Sequence, residues 1–376
     1  MLFLTKHFGV TGSDADRDPV REKAEIEQII EKSLLLQAKS AAQQHRPIGR
    51  GTHVKGVCAR ARFEVFDVTA GRDERLAMRL AKGMFAKPGI YPATVRFGNS
   101  DPRKNSDFKP DVRSLSFSVE LAQGTAPSMA HSGRQDFSLQ NTKTLPINDA
   151  SAFLALSKVL TASKPAAALW SLPFKDKLRV LRTLALVQPQ MHQTIKPYQQ
   201  LRYESNVPFR HGLIDVVKYS ATPSPHNHAN PLDKKNPNGL QDELIRHVQK
   251  DSKMSSFDFG VQFLDTGRMT YWGKPRDADF WIENASIAWN ETEAPFTPSL
   301  GLLCCRSHIF SPRLPKPCIS TSQEIRPRTA RPSGASIAPA GHRKSPAEGH
   351  ACRQTAFKNL SPRLTCARPE TCTVVS

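Results

Sequence analysis

Three polar side chains in the first half of the chain have the chemistry to transfer protons and to hold an anion: His53, Arg96 and Asn141. An imidazole accepts and returns a proton near neutral pH, and a carboxamide donates a hydrogen bond without competing for that proton. Arg96 lies inside the apolar stretch Val95-Arg96-Phe97, and a buried guanidinium needs an anionic partner. Considered singly, however, His53 is more often a hydrogen-bonded structural residue, and Asn141 can simply cap a turn.

The order of the motifs around these residues changes that interpretation. The motifs are Arg-x-x-His-x-Lys-Gly from Arg50, Val-Arg-Phe from Val95, Asp-x-Arg from Asp111, Asp-Phe-x-x-x-Asn-Thr from Asp136, and Asn-Asp-Ala-x-x-Phe from Asn148. This succession resembles the catalase family, specifically its small bacterial catalase-like branch. The resemblance extends over about residues 50–296 and is strongest over residues 50–153.

The resemblance implies an α+β fold, with an antiparallel β-barrel of the catalase type, helical insertions and an N-terminal helix. It also implies haem b, with its iron, as the cofactor. His53 corresponds to the family's distal histidine and Asn141 to its distal asparagine, so these two are the predicted catalytic residues. An ungapped comparison from Asp136 instead places the distal amide at Gln140, and both positions stay open.

The resemblance also assigns residues that would bind the cofactor. Arg50 and Arg96 correspond to arginines that pair with the haem propionates, which would supply the anion that Arg96 needs. Phe153 corresponds to the aromatic residue that flanks the haem on the distal side. In this interpretation the haem supplies the redox chemistry, and the protein orients and tunes it.

Departures from the family pattern bear on activity. The family's serine after Val-Arg-Phe, which hydrogen-bonds the distal histidine, is Gly98 here, so we expect the imidazole to lose an orienting partner. The family's glycine after Asp-x-Arg is Ser114.

Catalases ligate the iron through a tyrosinate in Arg-x-x-x-Tyr after the last barrel strand, whereas the last tyrosine of this chain is Tyr271. No proximal ligand is identifiable, and no metal-ligating residue is predicted.

The elements that must hold these residues follow from hydrophobic periodicity. Residues 15–45 have an apolar stripe at helical spacing, and residues 59–66 alternate between apolar and polar as a half-buried strand does. Strands, then helices, then strands follow without regular βα alternation, which favours an α+β domain around an antiparallel sheet or barrel. The later strands are predicted at 213–219, 257–264 and 282–289.

Composition divides the chain into three predicted parts. These are an N-terminal helical arm (1–46), a catalase-like barrel haem domain (47–300), and a basic tail rich in Pro, Arg, Ser and Cys (301–376). Neither periodicity continues beyond about Thr297, so the tail is predicted to be disordered. Because the change falls inside an apparent strand, one hypothesis is that the tail is a frameshift product. Sequencing the locus in independent clones tests this, and an intact frame would exclude it.

The net charge of +19 is unevenly placed, since residues 304–376 contain 12 Lys and Arg against 3 Asp and Glu, a net of +9. This segment has almost no aromatic residues among its charges, so we expect no nucleic-acid partner. Its cysteines form no Cys-x-x-Cys pair, so no zinc site is predicted.

The N-terminal apolar run is too short for a signal peptide, and no apolar run reaches bilayer length. We therefore predict a cytoplasmic protein with no membrane contact.

The predicted function is that of a haem oxidoreductase of the catalase or peroxidase type, which decomposes hydrogen peroxide as a small-molecule substrate and forms a homo-oligomer. A second hypothesis is a haem enzyme that acts on organic or fatty-acid hydroperoxides. Thr52, where catalases have Val, and the small Gly98 leave room for that substrate. A third is a degenerate, non-catalytic barrel without the proximal tyrosine.

Overall fold

The structure is a computed structural model that describes residues 18–45, 47–121, 133–251 and 253–310. Its first element is helix α1 (Pro19–Gln43). The Asp18 carboxylate accepts hydrogen bonds from the backbone N–H groups of Val20 and Arg21 at 3.0 and 3.1 Å, which caps the start of the helix. The apolar stripe of α1 buries Ile29 against a later helix. The N-terminal helix is therefore present as predicted.

An antiparallel β-barrel forms the centre of the molecule. The strands in the described ranges are β1 (Gly56–Val65), β2 (Gly89–Asn99), β3 (Arg113–Glu120), β4 (Arg134–Gln140), β5 (Tyr203–Glu204), β6 (Phe209–His211), β7 (Asp215–Pro223), β8 (Ser255–Phe263), β9 (Thr270–Tyr271), β10 (Lys274–Pro275) and β11 (Phe296–Phe310). Antiparallel neighbours follow the order β5-β4-β3-β2-β1-β11-β8-β7, and β5 also pairs with β7, which closes eight strands into a barrel. β6 pairs beside β7, and β9 and β10 form a separate hairpin. The predicted barrel is thereby confirmed.

Side-chain alternation along the strands separates the barrel interior from its outer face. Four interior rings stack or meet edge-on with centroids 4.8–6.3 Å apart, in Phe63, Phe117, Phe137 and Phe259. On β2, Val95 and Phe97 are fully buried in this core, and Arg96 between them points to the opposite side. Arg96 therefore lies on the outer face of the barrel.

The α-helices within the described residues lie outside the strand order of the barrel. Besides α1 they are α2 (Glu74–Leu80), α3 (Ala150–Thr161), α4 (Pro165–Ser171), α5 (Phe174–Met191), α6 (Gly239–Ile245) and α7 (Ala278–Glu283). Helices α3 to α5 form one insertion between β4 and β5, and α3 packs against both α1 and α5. None of these described helices is long and apolar enough to cross a bilayer.

The strand predicted at residues 282–289 is wrong. The structure has α7 there, followed by a turn, because Asp277 caps the helix by accepting a hydrogen bond from the N–H of Phe280 at 2.8 Å. The Asn284 side chain ends it by donating to the Phe280 carbonyl at 2.7 Å. The apolar residues that suggested a strand instead pack around Trp281 and Trp289 in a small separate core.

The last barrel strand extends past the boundary predicted at residue 300. β11 continues to Phe310 and pairs with β1 from Gly301–Val65 to Phe310–Cys58. Leu303 and Cys305 are fully buried in the core. The first ten residues assigned to the tail thus complete the barrel, because their backbone groups pair with β1 as far as Phe310 and with β8 as far as Cys305. Residues 311–376 lie outside the described residues, so the predicted disorder there stays a prediction.

The barrel-completing role of β11 can be tested by removing one inward-facing side chain. Leu303→Ala is expected to lower the free energy of unfolding by about 2–5 kcal/mol, because it leaves a cavity in the core. Leu302→Ala is the matched control, since Leu302 is the neighbouring leucine, only half-buried, and should cost clearly less. Urea unfolding of both variants measures this, and equal losses would argue against the described register.

Candidate functional site

His53 lies in the loop before β1 with a left-handed backbone, at φ +53°. This conformation is uncommon for a residue other than glycine, and such residues cluster at functional sites. Two hydrogen bonds hold it in place. The His53 N–H donates to the Ser100 carbonyl at 3.2 Å, and the His53 carbonyl accepts from Nη2 of Arg96 at 2.5 Å. The backbone is thus fixed from both sides by the neighbouring strand and its loop.

Arg96 reaches His53 across a notch formed by two glycines. Gly56 on β1 and Gly98 on β2 are cross-strand partners. A Cβ atom at Gly56 would lie 2.6 Å from Nη2 of Arg96, and one at Gly98 would lie 2.8 Å from Nη1. Both positions must therefore be glycine for the guanidinium to occupy this place. The space that the sequence suggested at Gly98 for a larger substrate is filled by Arg96.

Arg50 and Arg96 form a pair of positive groups without a carboxylate. Burial and, secondly, the charge of Arg50 lower the pKa of Arg96 to about 10, and burial lowers the pKa of Arg50. Within the described ranges neither arginine is joined to an acidic side chain, and the buried Nε of Arg96 has no hydrogen-bond partner. Two uncompensated guanidinium groups side by side are the donor set that an anion with two carboxylates or a phosphate would satisfy.

The same surroundings keep the His53 imidazole neutral. Burial, together with the charges of Arg96 and Arg50, lowers the pKa of His53 to about 4. At neutral pH the ring therefore has one protonated and one free nitrogen. A neutral imidazole beside two cations can accept a proton from a bound ligand.

The imidazole has an orienting partner, contrary to the expectation from Gly98. The Ser114 hydroxyl lies 3.0 Å from Nδ1 of His53. Ser114 is on β3, directly opposite Gly98, and only 3% of it is exposed. The serine hydroxyl that the resemblance leads one to expect on β2 is absent, and Ser114 on β3 supplies a hydroxyl instead.

A buried ion pair anchors the loop that contains His53. Nζ of Lys55 lies 2.7 Å from Oδ1 of Asp107, with the side chains 6% and 0% exposed. Lys55 also donates to the carbonyls of Asn105 and Pro237. The Asp107 carboxylate accepts further hydrogen bonds from Nδ2 of Asn99 at 2.8 Å and from the N–H at the start of α6 at 2.9 Å. Lys55 of the Arg-x-x-His-x-Lys-Gly motif is thus a structural residue, which joins three segments of the chain.

The Asp-x-Arg motif has a similar structural role. Arg113, 3% exposed, pairs with Asp111 at 3.4 Å and donates to the Asp107 carbonyl at 2.6 Å. Asp111 in turn accepts a hydrogen bond from the Ser100 hydroxyl at 2.5 Å. Since Ser100 holds the N–H of His53, this motif positions the site without taking part in it.

The two candidate distal amides differ in their surroundings. Oδ1 of Asn141 accepts from the N–H of Arg113 at 2.7 Å, and its Nδ2 donates to Gln193 at 3.0 Å, so both ends of this amide have partners within the fold. Gln140 is the cross-strand partner of Ser114. Directly opposite residues of antiparallel strands share a face, so Gln140 lies on the face of the sheet where the Ser114 hydroxyl meets His53.

Phe153 lies on α3 in the helical layer. Its half-buried ring packs with Ile29, Ala150 and Leu154, at the contact of α3 with α1. The predicted role of Phe153 beside a haem stays a prediction.

All five tyrosines of the chain lie within the described residues. Tyr198, Tyr203 and Tyr219 are buried in the barrel core, and their hydroxyls bond to Asn99, to a backbone carbonyl and to a histidine, respectively. Tyr91 packs against the same core, and Tyr271 belongs to the small cluster beside α7. None lies on a helix after β11, where the catalase resemblance would require the iron ligand.

Comparison with solved structures identifies the architecture. A fungal catalase structure matches with a TM-score of 0.50 at 15% sequence identity, over 73% of this chain and 53% of the catalase. The chain has the catalase fold. A bacterial catalase structure matches with a TM-score of 0.44 at 12% identity, over 80% of this chain and 55% of that one. The chain thus spans about half the length of these catalases, and no family model or curated protein matches it.

The structure brings His53, Arg50 and Arg96 close together, and their predicted roles stay predictions. It adds Ser114 and the Lys55–Asp107 pair, to which the sequence motifs assign no role. The signal for Ser114 was present, since a serine directly opposite the glycine that replaces the family's serine can restore its contact. That signal requires the β2–β3 register, which spacing along one strand does not reveal.

The anchoring role of the buried ion pair predicts a large effect for a small change. Asp107→Asn is expected to lower the free energy of unfolding by about 3–5 kcal/mol, because Lys55 would remain buried without a counter-charge. Lys143→Met removes an exposed ion pair with Glu291 and should cost no more than about 1 kcal/mol. Urea unfolding compares the two variants, and a similarly small loss for both would contradict the anchoring role.

Proposed function

We propose that this chain is a haem-binding protein of the catalase fold that acts on hydrogen peroxide through His53. One observation supports this above the others. A neutral histidine lies beside two arginines that lack acidic partners, on the outer face of the barrel. The arginines attract a dianionic group, and the histidine provides a proton acceptor next to it.

The residues present fit the propionate edge and the distal face of a haem. Arg50 and Arg96 would hold the propionates, which complete the hydrogen bonding of the orphaned Arg96 Nε. His53 would lie over the distal face, held by its left-handed backbone and by the Ser114 contact. When bound, haem would supply the iron that a peroxide coordinates and the electrons of the redox step.

The protein's own contribution is the movement of one proton. Nδ1 of His53 contacts Ser114. The other ring nitrogen, Nε2, has no hydrogen-bond partner among the described residues. It accepts the proton from one peroxide oxygen and returns it to the other, which makes the leaving oxygen neutral. Of the two candidate amides, we expect Gln140 rather than the predicted Asn141 to donate a hydrogen bond to the peroxide. Gln140 shares a face with Ser114, and the amide of Asn141 has partners at both ends.

Hydrogen peroxide is favoured over bulky hydroperoxides because the space at Gly98 is occupied by the Arg96 guanidinium.

The placement of the tyrosines favours a second candidate function, a barrel that binds haem without fast turnover. With every tyrosine in the barrel core or the cluster beside α7, a haem bound here lacks tyrosinate ligation from this chain. The rate at which the haem-loaded chain consumes hydrogen peroxide separates these two candidates.

The arginine pair can be tested by titrating the purified full-length chain with haemin. The wild type should show a Soret band that saturates, without the spectrum of ferric tyrosinate ligation. Arg50→Met should weaken binding about tenfold or more, because one charged hydrogen-bonding partner of a carboxylate is lost. Arg75→Met, at an exposed arginine on α2, is the matched control and should bind as the wild type does. A wild-type chain that binds no haemin would overturn the proposal.

The low pKa of His53 predicts how activity depends on pH. Because the pKa is about 4 rather than the ordinary 6.5, His53 stays a neutral proton acceptor as the pH falls below 6.5. Peroxide consumption by the haem-loaded protein should therefore hold down to about pH 5 and decline only as the pH approaches 4. Steady-state rates between these limits measure this, with His53→Gln as the inactive control. A decline centred near 6.5 would show that His53 is not shielded as described.

A further inference from the structure

Ser114 makes two contacts that together constrain the proton on His53. Its hydroxyl lies 3.0 Å from Nδ1 of His53 and 3.3 Å from the carbonyl oxygen of Gly98. Ser114 is 3% exposed, so water does not compete for these contacts. A serine hydroxyl has one proton to donate and lone pairs to accept.

Only one arrangement makes both contacts attractive. The Gly98 carbonyl can only accept, so the Ser114 proton must point toward it; otherwise two oxygens would lie 3.3 Å apart with no proton between them. The Ser114 lone pair then faces Nδ1 of His53, which must be protonated to donate to it. Nε2 is left as the free base.

We propose that Ser114 is a positioning residue that selects the Nδ1-protonated tautomer of His53, so that Nε2 is the nitrogen available to a ligand. The role of Nε2 toward peroxide rests on the function proposed above, whereas the tautomer is a property of the protein alone. Ser114 does not touch the substrate in this proposal; it acts through the imidazole.

The glycine notch explains why this hydroxyl comes from β3. A side chain at Gly98 would begin 2.8 Å from Nη1 of Arg96 and 2.9 Å from the carbonyl of Lys55. A serine at that position is therefore incompatible with the Arg96 guanidinium lying in the notch. The strand opposite Gly98 is the nearest place from which a hydroxyl can reach Nδ1, and Ser114 occupies it.

The proposal also separates two effects on the same ring. Burial, Arg96 and Arg50 keep the imidazole neutral, but charge alone does not decide which nitrogen holds the remaining proton. That choice is set by the hydrogen bond to one of them. Removing Ser114 should thus alter the tautomer while leaving the ring neutral.

The test is nitrogen NMR of the ligand-free, full-length chain with ¹⁵N-labelled histidines, with the His53 signals assigned by their loss in His53→Gln. In the wild type at neutral pH, Nδ1 should show the shift of a protonated nitrogen and Nε2 that of a free one. In Ser114→Ala the two shifts should move toward each other as the tautomers mix. Ser114→Thr, which keeps the hydroxyl, should resemble the wild type.

Ser116→Ala is the matched control, because Ser116 lies on the same face of β3, opposite Arg96. It should leave the His53 shifts unchanged. A wild-type spectrum with Nε2 protonated overturns the proposal even if Ser114→Ala fails to fold, and so does a Ser114→Ala spectrum identical to that of the wild type.

The haem-loaded protein gives a second readout. Ser114→Ala should lower the rate of peroxide consumption about 10–100-fold, as losses of such supporting hydrogen bonds do at metal sites. Adding Gly98→Ser should not restore it, since that side chain collides with Arg96. Rescue by Gly98→Ser would overturn the explanation of the glycine notch. If no haem is bound, the proposed function fails, while the NMR result still decides the tautomer.

Discussion

The buried Lys55–Asp107 ion pair is the interaction on which the geometry of the site depends. It links the loop before β1, the loop between β2 and β3, and the start of α6. A buried charge pair persists only when its remaining hydrogen-bonding groups are satisfied, and the Asp107 oxygens accept from Asn99 and Leu240 as well. His53, whose backbone is left-handed, lies two residues before Lys55, so the ion pair anchors the chain next to it.

The charges of the site are arranged in two contrasting ways. Lys55 has a carboxylate partner in the fold, whereas Arg50 and Arg96 have none among the described residues. Folding places these two guanidinium groups close together at a cost in electrostatic energy, which a bound anion would offset. A fold stabilised by paired charges elsewhere can tolerate one site with unpaired charges. Such a site is where a functional role is expected.

The sequence could nominate several residues of the candidate site, because its motifs are short and each falls within one segment. His53, Arg50 and Arg96 were assigned in this way, and the structure brings them together. The orienting hydroxyl was missed because Ser114 and Gly98 belong to different strands, so their proximity depends on register. The choice between Gln140 and Asn141 also depends on which face each side chain takes. The predicted strand at 282–289 failed since apolar content does not distinguish a strand from a short capped helix.

The sequence by itself determined most of the barrel strands, because alternation of apolar and polar residues is a property of each strand alone. The closed barrel was implied by the resemblance to catalases. The sequence also determined that the last tyrosine precedes β11, which bears on iron ligation. Only the tertiary structure decided that β11 continues to Phe310, that the guanidinium of Arg96 lies over Gly56 and Gly98, and that Ser114 meets His53. The physical reason is the same in each case: these contacts join residues that are distant in sequence, and their geometry is set by how the strands pair and pack.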